Sequence, residues 1–132
     1  LICTIALPPV LTGMGVLVWV AGFDIIYSCQ DERFDRRAKL FSMPVRLGRS
    51  RALAISALCH ALSIVFFASV TFFTGLGLLY LSAVTLVACL LVWEQSIISP
   101  RDLSRLGVAF FNANGWVSLL MFAGGLADLL MH

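Results

Sequence analysis

Residues 22–50 read GFDIIYSCQDERFDRRAKLFSMPVRLGRS. This is the dense block of charge in an otherwise apolar chain, and its two flanks (residues 2–22 and 52–73) are almost free of charge. Inside the block, Asp24, Tyr27, Asp31 and Asp35 fall at offsets 0, 3, 7 and 11. At 100° per residue a helix places Asp31 and Asp35 roughly 20° either side of Asp24, and Tyr27 roughly 60° away. Three carboxylates then share one stripe about 16 Å long. Acids in a row repel one another unless cations lie between them, so the stripe points to a hard divalent metal.

Working outward, the chain parses into four apolar stretches, at 2–22, 52–73, 78–93 and 106–131. A bilayer-spanning helix needs about 20 apolar residues. Three stretches reach that length directly, and the third does so by borrowing Gly75 and Gly77 from its turn. Pro8 and Pro9 either kink the first helix or set its start. Apolar residues make up 61% of the 132 and charged ones only 12%, about half the share of an ordinary soluble domain. The expected fold is all-α: an integral-membrane bundle with four transmembrane helices in these residues, forming a single transmembrane region over 1–132. A net charge of +2 gives no ground for a nucleic-acid partner. The four cysteines (Cys3, Cys29, Cys59 and Cys89) form no CxxC pair, which argues against a metal–thiolate site.

Charge sets the orientation. The segment after the first stretch carries Arg33, Arg36, Arg37, Lys39, Arg46, Arg49 and Arg51, and the one after the third carries Glu94, Arg101, Asp102 and Arg105. The turn at 74–77 carries no charge. Basic loops stay in the cytoplasm, so both charged loops fall inside and the bare turn outside, which four alternating spans require. Glu94 is expected at the membrane interface beside the basic loops. Ser99 or Asp102 is expected to cap a short helix. His60 reads as a satisfied structural histidine. Trp19, Trp93 and Trp116 read as interface anchors or packing residues.

Asp24 follows WVAGF and precedes two isoleucines, which places it at the membrane edge or deeper. An ionised Asp at a span's centre costs about 2.5–3.5 kcal/mol on insertion scales, and such residues are functional by default. Oxygen ligands favour Mg²⁺, which keeps several waters and bridges to phosphate oxygens. The basic residues alongside can hold a diphosphate or anchor to anionic lipid. A transporter or channel segment, with Asp24 and His60 moving ions, is the rival reading. Transporters place such groups near the midplane, whereas these acids gather at one edge.

The run Asp24-x-x-Tyr27-x-x-x-Asp31-x-x-x-Asp35, followed by Ser42-x-Pro44-x-Arg46-x-Gly48, resembles the second aspartate-rich motif of the UbiA-type intramembrane aromatic prenyltransferases. It looks closest to the 4-hydroxybenzoate polyprenyltransferase branch. Ser99-Pro100, Asp102-Leu103-Ser104 and Asn114-Gly115 extend the likeness. The resemblance implies a bundle of about nine spans, of which these residues form the C-terminal portion. It also implies Mg²⁺-dependent transfer of a polyprenyl group from its diphosphate to an aromatic acceptor, in ubiquinone or menaquinone synthesis at the cytoplasmic face of a bacterial inner membrane. Asp31 and Asp35 match the metal pair. Asp24 and Tyr27 match residues of the reacting pocket. Arg33, Arg37, Lys39 and Asn114 are the candidate substrate contacts. The family's first motif, NDxxDxxxD, does not occur in these residues, so the expectation is a fragment that is inactive alone. Haem, chlorophyll and other quinone-ring branches of the family remain alternatives.

Overall fold

The computed structural model describes residues 6–104 and 107–131, the side chains of 108–110 excepted. Cys3 and Arg105 lie outside the described residues. Six α-helices and one 3₁₀ turn follow in order: α1 (Leu7–Gln30), α2 (Glu32–Arg37), α3 (Met43–Leu47), α4 (Arg49–Ser69) with the turn Val70–Phe73, α5 (Leu78–Ser96) and α6 (Val108–Met131). Among the described residues there is no strand, so the all-α expectation is met. Four helices are long and apolar enough to cross a membrane: α1, α4 with its turn, α5, and α6 from Phe111.

Local chemistry fixes the boundaries. Pro8 and Pro9 sit in the first turn of α1, where an absent N–H costs nothing, so they start the helix rather than kink it. At its other end α1 runs on to Gln30, past the hydropathic limit at Gly22. Leaving the apolar zone changes the solvent around a helix but breaks none of its backbone hydrogen bonds. Gly48 separates α3 from α4 at φ +87°, a conformation that strains any side chain with a Cβ.

Outward faces are strongly apolar: Leu58, Val65 and Leu130 are each more than 60% exposed. Lipid suits such a surface and water does not. Inside, α1 packs mainly on α4 and α5 on α6, while α4 and α5 meet more loosely. Glycines permit the close approaches. A Cβ at Gly15 would stand 2.7 Å from the Phe67 ring, and one at Gly22 2.6 Å from the His60 ring. At Gly124 it would collide with Ala83 on α5. Small residues at such crossings let backbones come together where no hydrophobic effect drives them.

Both charged loops lie at one end of the bundle. There, Ile26, Cys29, Ala52 and Leu53 form a cluster joined by Ile97, Ile98 and Leu103 from the segment after α5. The opposite end holds Phe67, Val70, Tyr80 and Val84. At that end Asp128 of α6 reaches across to α5 and accepts hydrogen bonds from the backbone N–H groups of Gly77 (2.6 Å) and Tyr80 (2.9 Å). Tyr80 in turn donates its hydroxyl to the Phe67 carbonyl at 2.9 Å.

Two expectations are corrected. Glu94 does not stand open beside the basic loops: it is fully buried in the protein in the last turn of α5, because the phase of α5 continues the inward face of Val87 and Leu91 for one more turn. Ser99 and Asp102 do not cap a helix among the described residues. They close a tight turn, in which their backbones exchange hydrogen bonds at 3.2 Å and the Asp102 N–H reaches the Ser99 hydroxyl at 3.0 Å.

Candidate functional site

The acidic stripe spans a joint. Asp24 and Tyr27 lie on α1, Asp31 at the junction with φ −91° and ψ 4°, and Asp35 on α2. The single non-helical residue hardly disturbs the phase, because the Asp35 N–H donates to the Asp31 carbonyl at 2.9 Å and the Asp31 N–H to the Ser28 carbonyl at 3.2 Å. Asp31 and Asp35 therefore stay one turn apart. Asp24 and Asp31 are exposed and Asp35 is half-buried. Tyr27 stands edge-on to Phe23, with ring centroids 4.6 Å apart and planes at 86°.

Charge pairing at this end is selective. Glu32 takes both nearby arginines: Arg36 at 3.0 Å, four residues along α2, and Arg49 at 2.6 Å from the first turn of α4. Arg49 also donates to the Pro100 carbonyl at 3.2 Å, which ties the two charged loops together. Among the described residues Asp24, Asp31 and Asp35 form no ion pair, although cations surround them in sequence. Arg33, Arg37 and Lys39 are exposed. Lys39 holds φ +57°, where the N–H groups of Lys39 and Leu40 cap α2 by reaching the carbonyls of Arg36 (3.3 Å) and Asp35 (2.8 Å).

Burial by itself raises the Glu32 carboxyl. The hydrogen bonds and positive charges of Arg36 and Arg49 outweigh it and hold the group below its ordinary 4.5. A lowered native value means that the clamp's contribution to stability is fully present above pH 4.5. It is lost as pH falls through the lowered native value. Carbon NMR titration of Glu32 in the full chain should show a midpoint below 4.5, returning toward 4.5 in Arg49→Gln. An unchanged midpoint in that variant would show that Arg49 is not the partner.

Above the stripe lies a polar node around His60 and Ser56, whose partners the sequence does not name. Ser56 donates to the Gly22 carbonyl at 2.7 Å, and Gln95 places its amide nitrogen 3.1 Å from both the Ser56 hydroxyl and His60 Nδ1. With Nδ1 accepting, the ring proton belongs on Nε2. The node joins α1, α4 and α5 two residues before Asp24 and so fixes where the stripe emerges. Its only sequence signal is polar residues deep in apolar helices. His60 is thus a bonded structural histidine, as its sequence context implies.

Asn114 lies on α6, one turn from Val117, which shares a cluster with Trp19. Twelve residues separate Trp19 from Asp31, about 18 Å along a helix, so Asn114 sits deeper than the acidic pair. Cavities occur away from the stripe. One of about 410 Å³ lies between α4 and α5, with His60 and Gln95 in its wall. Another of about 450 Å³ borders Asp128.

Two carboxylates one turn apart, unpaired and oxygen-only, fit a hard cation that keeps waters and bridges to phosphate. They amount to part of a site: among the described residues no group of three or more His, Cys, Asp or Glu is placed to hold a metal. Asp24 adds a constraint. It is exposed six residues before the end of α1, about 9 Å along the helix. That position lies two residues past the apolar limit at Gly22, where an exposed carboxylate sits on the part of α1 that carries the charged stripe.

Comparison with known proteins agrees with the motif. A 4-hydroxybenzoate octaprenyltransferase of Methylibium petroleiphilum is 29% identical over 117 residues, covering 88% of this chain and 37% of the relative. The Cronobacter sakazakii enzyme of the same description is 31% identical, covering 82% and 37%, and that of Sodalis glossinidius 30% identical, covering 88% and 39%. The chain thus spans under two-fifths of the length of these relatives. No solved structure matches it significantly. The model of the UbiA prenyltransferase family matches residues 2–123, nearly the whole chain, and on that match the chain belongs to the UbiA prenyltransferase family.

Proposed function

We propose that this chain forms part of a Mg²⁺-dependent membrane enzyme. The enzyme transfers a polyprenyl group from its diphosphate to an aromatic acceptor resembling 4-hydroxybenzoate, in lipid-quinone synthesis. The site would open to the cytoplasmic side of a bacterial inner membrane. One observation carries the reading: among the described residues Asp31 and Asp35 form no ion pair, while Glu32 between them takes Arg36 and Arg49. Family membership and the names of the relatives support the substrate classes.

In this mechanism Asp31 and Asp35 would hold Mg²⁺, which would supply Lewis acidity toward the diphosphate leaving group. Lys39, in the turn that closes α2, is the candidate cation for the phosphate oxygens, whereas at 100° per residue Arg33 and Arg37 fall on the face of α2 turned away from Asp31 and Asp35. The bond between the prenyl carbon and the diphosphate oxygen breaks, and the pair of electrons leaves with oxygen. Tyr27, braced edge-on by Phe23, presents a ring face to the developing allylic cation. Asp24 lies two turns before Asp31 on the polar side of α1 and orients the acceptor. The acceptor ring forms the new carbon–carbon bond and releases a ring proton. The apolar outer faces of the helices give the polyprenyl tail a lipid-like path.

The test uses the full-length protein in proteoliposomes with labelled polyprenyl diphosphate and 4-hydroxybenzoate. Chelation with EDTA should abolish transfer, and Mg²⁺ in excess should restore it. Undiminished transfer after chelation would overturn the metal assignment. Absence of transfer to any phenolic acid under Mg²⁺ would overturn the acceptor class.

A further inference from the structure

The four spans fall into two pairs. α1 packs closely on α4 and α5 on α6, whereas α4 and α5 meet loosely. Between them lies the cavity of about 410 Å³, walled in part by the small side chains of Ala57, Ala61 and Ala88. Lipid supplies no hydrophobic force to close such a seam, so directional bonds across it matter more. The Gln95 amide of α5 donates to two groups of α4 at once, the Ser56 hydroxyl and His60 Nδ1, each at 3.1 Å. Ser56 and His60 are both buried, and any further chain adds to that burial.

Ser56 passes the link on. Having accepted from Gln95, it donates to the Gly22 carbonyl of α1 at 2.7 Å. At the same level a Cβ on Gly22 would stand 2.6 Å from the His60 ring, so the bond lies at a close approach of α1 and α4. Asp24 follows two residues later, about 3 Å along the axis. A side chain so near the bond takes its direction from it. The carboxylate stands about 5 Å from the axis, so a turn of α1 by about 12° shifts it by about 1 Å.

We propose that Gln95 is a positioning residue for prenyl transfer. Through Ser56 it holds the rotation of α1, and with it the aim of Asp24 at the acceptor, against the second helix pair, which carries Asn114. The inference rests on the catalytic reading above and names a residue that acts on the reaction only through α1. A misplacement of about 1 Å at the reacting geometry costs about a hundredfold in rate. Binding of the ground state is far less sensitive to it.

Full-length enzyme carrying Gln95→Met tests it, since methionine keeps the length of the side chain and removes both donors. Ser56→Ala breaks the next link by removing one hydroxyl, and it carries the test should Gln95→Met insert poorly. Either variant should lower kcat about 10- to 100-fold and change KM for both substrates less than about threefold. In an Asp24→Ala background Gln95→Met should cost less than about twofold more, because no carboxylate is left to aim. Spin labels at Gln30→Cys and Ser96→Cys, the last residues of α1 and α5, with native cysteines replaced, should report a broader or shifted distance in Gln95→Met. Wild-type kcat in both variants would overturn the proposal. The full loss repeated in the Asp24→Ala background would overturn it as well, because it marks general damage to the fold. So would an unchanged label distance. That last readout holds even where the wild-type enzyme transfers no prenyl group, a result that counts against the catalytic reading instead.

Discussion

Asp31→Ala in the full-length protein is expected to lower prenyl transfer about a thousandfold, about 4 kcal/mol of barrier, without impairing membrane insertion. The side chain is exposed and makes no ion pair among the described residues, so the fold does not depend on it. Asp31→Asn should fall nearly as far, because it keeps the shape and discards the charge that binds a cation. Glu32→Gln is the informative contrast. It removes an equal charge one residue away, but that charge is already matched by Arg36 and Arg49, and transfer should fall less than about tenfold. Quantitative transfer assays on protein of verified insertion decide the matter. Normal turnover in Asp31→Ala, or equal losses in Asp31→Ala and Glu32→Gln, would remove the metal role.

The second large effect concerns stability. Asp128 is buried, and its carboxylate accepts the N–H groups of Gly77 and Tyr80 at the start of α5. The first N–H groups of a helix have no partner within the helix, and a bilayer offers no water to replace one. The carboxylate also lies at the positive end of the helix dipole. Hydrogen bonds to a charged acceptor contribute about 1.5–3 kcal/mol each. Asp128→Ala should therefore destabilise the full chain by about 3–5 kcal/mol. Asp128→Asn, which keeps a carbonyl acceptor, should lose roughly half as much. Unfolding in mixed micelles of mild detergent and dodecyl sulfate measures the difference. Wild-type stability in Asp128→Ala would show that the cap is dispensable.

The four spans were legible in the sequence because bilayer-crossing helices need little more than length and apolarity. The common end of the two charged loops was legible too, since alternating spans force it. The stripe needed only the helical repeat, and that repeat survives the joint at Asp31. What escaped reading depends on bonds between distant residues. Ser56 meets Gly22 at a separation of 34 residues and Gln95 at 39. Nothing local about a serine in an apolar helix names its partner. The burial of Glu94 escaped reading for a related reason. Next to Trp93 it looks like the polar end of a span, but the turn of α5 directs it inward while Trp93 stays 45% exposed. Asp128 gave a signal, an acid near the far end of an apolar helix, but its acceptor role needs the start of α5 beside it.

The cap on α5 also bears on biosynthesis. Gly77 is made 51 residues before the side chain that satisfies its N–H. While the ribosome extends the chain between them, α5 enters the translocon with its leading amides still uncapped. They stay so until nearly all of α6 has followed. A nascent chain stopped short of residue 128 would expose that defect to the quality-control proteases of the membrane.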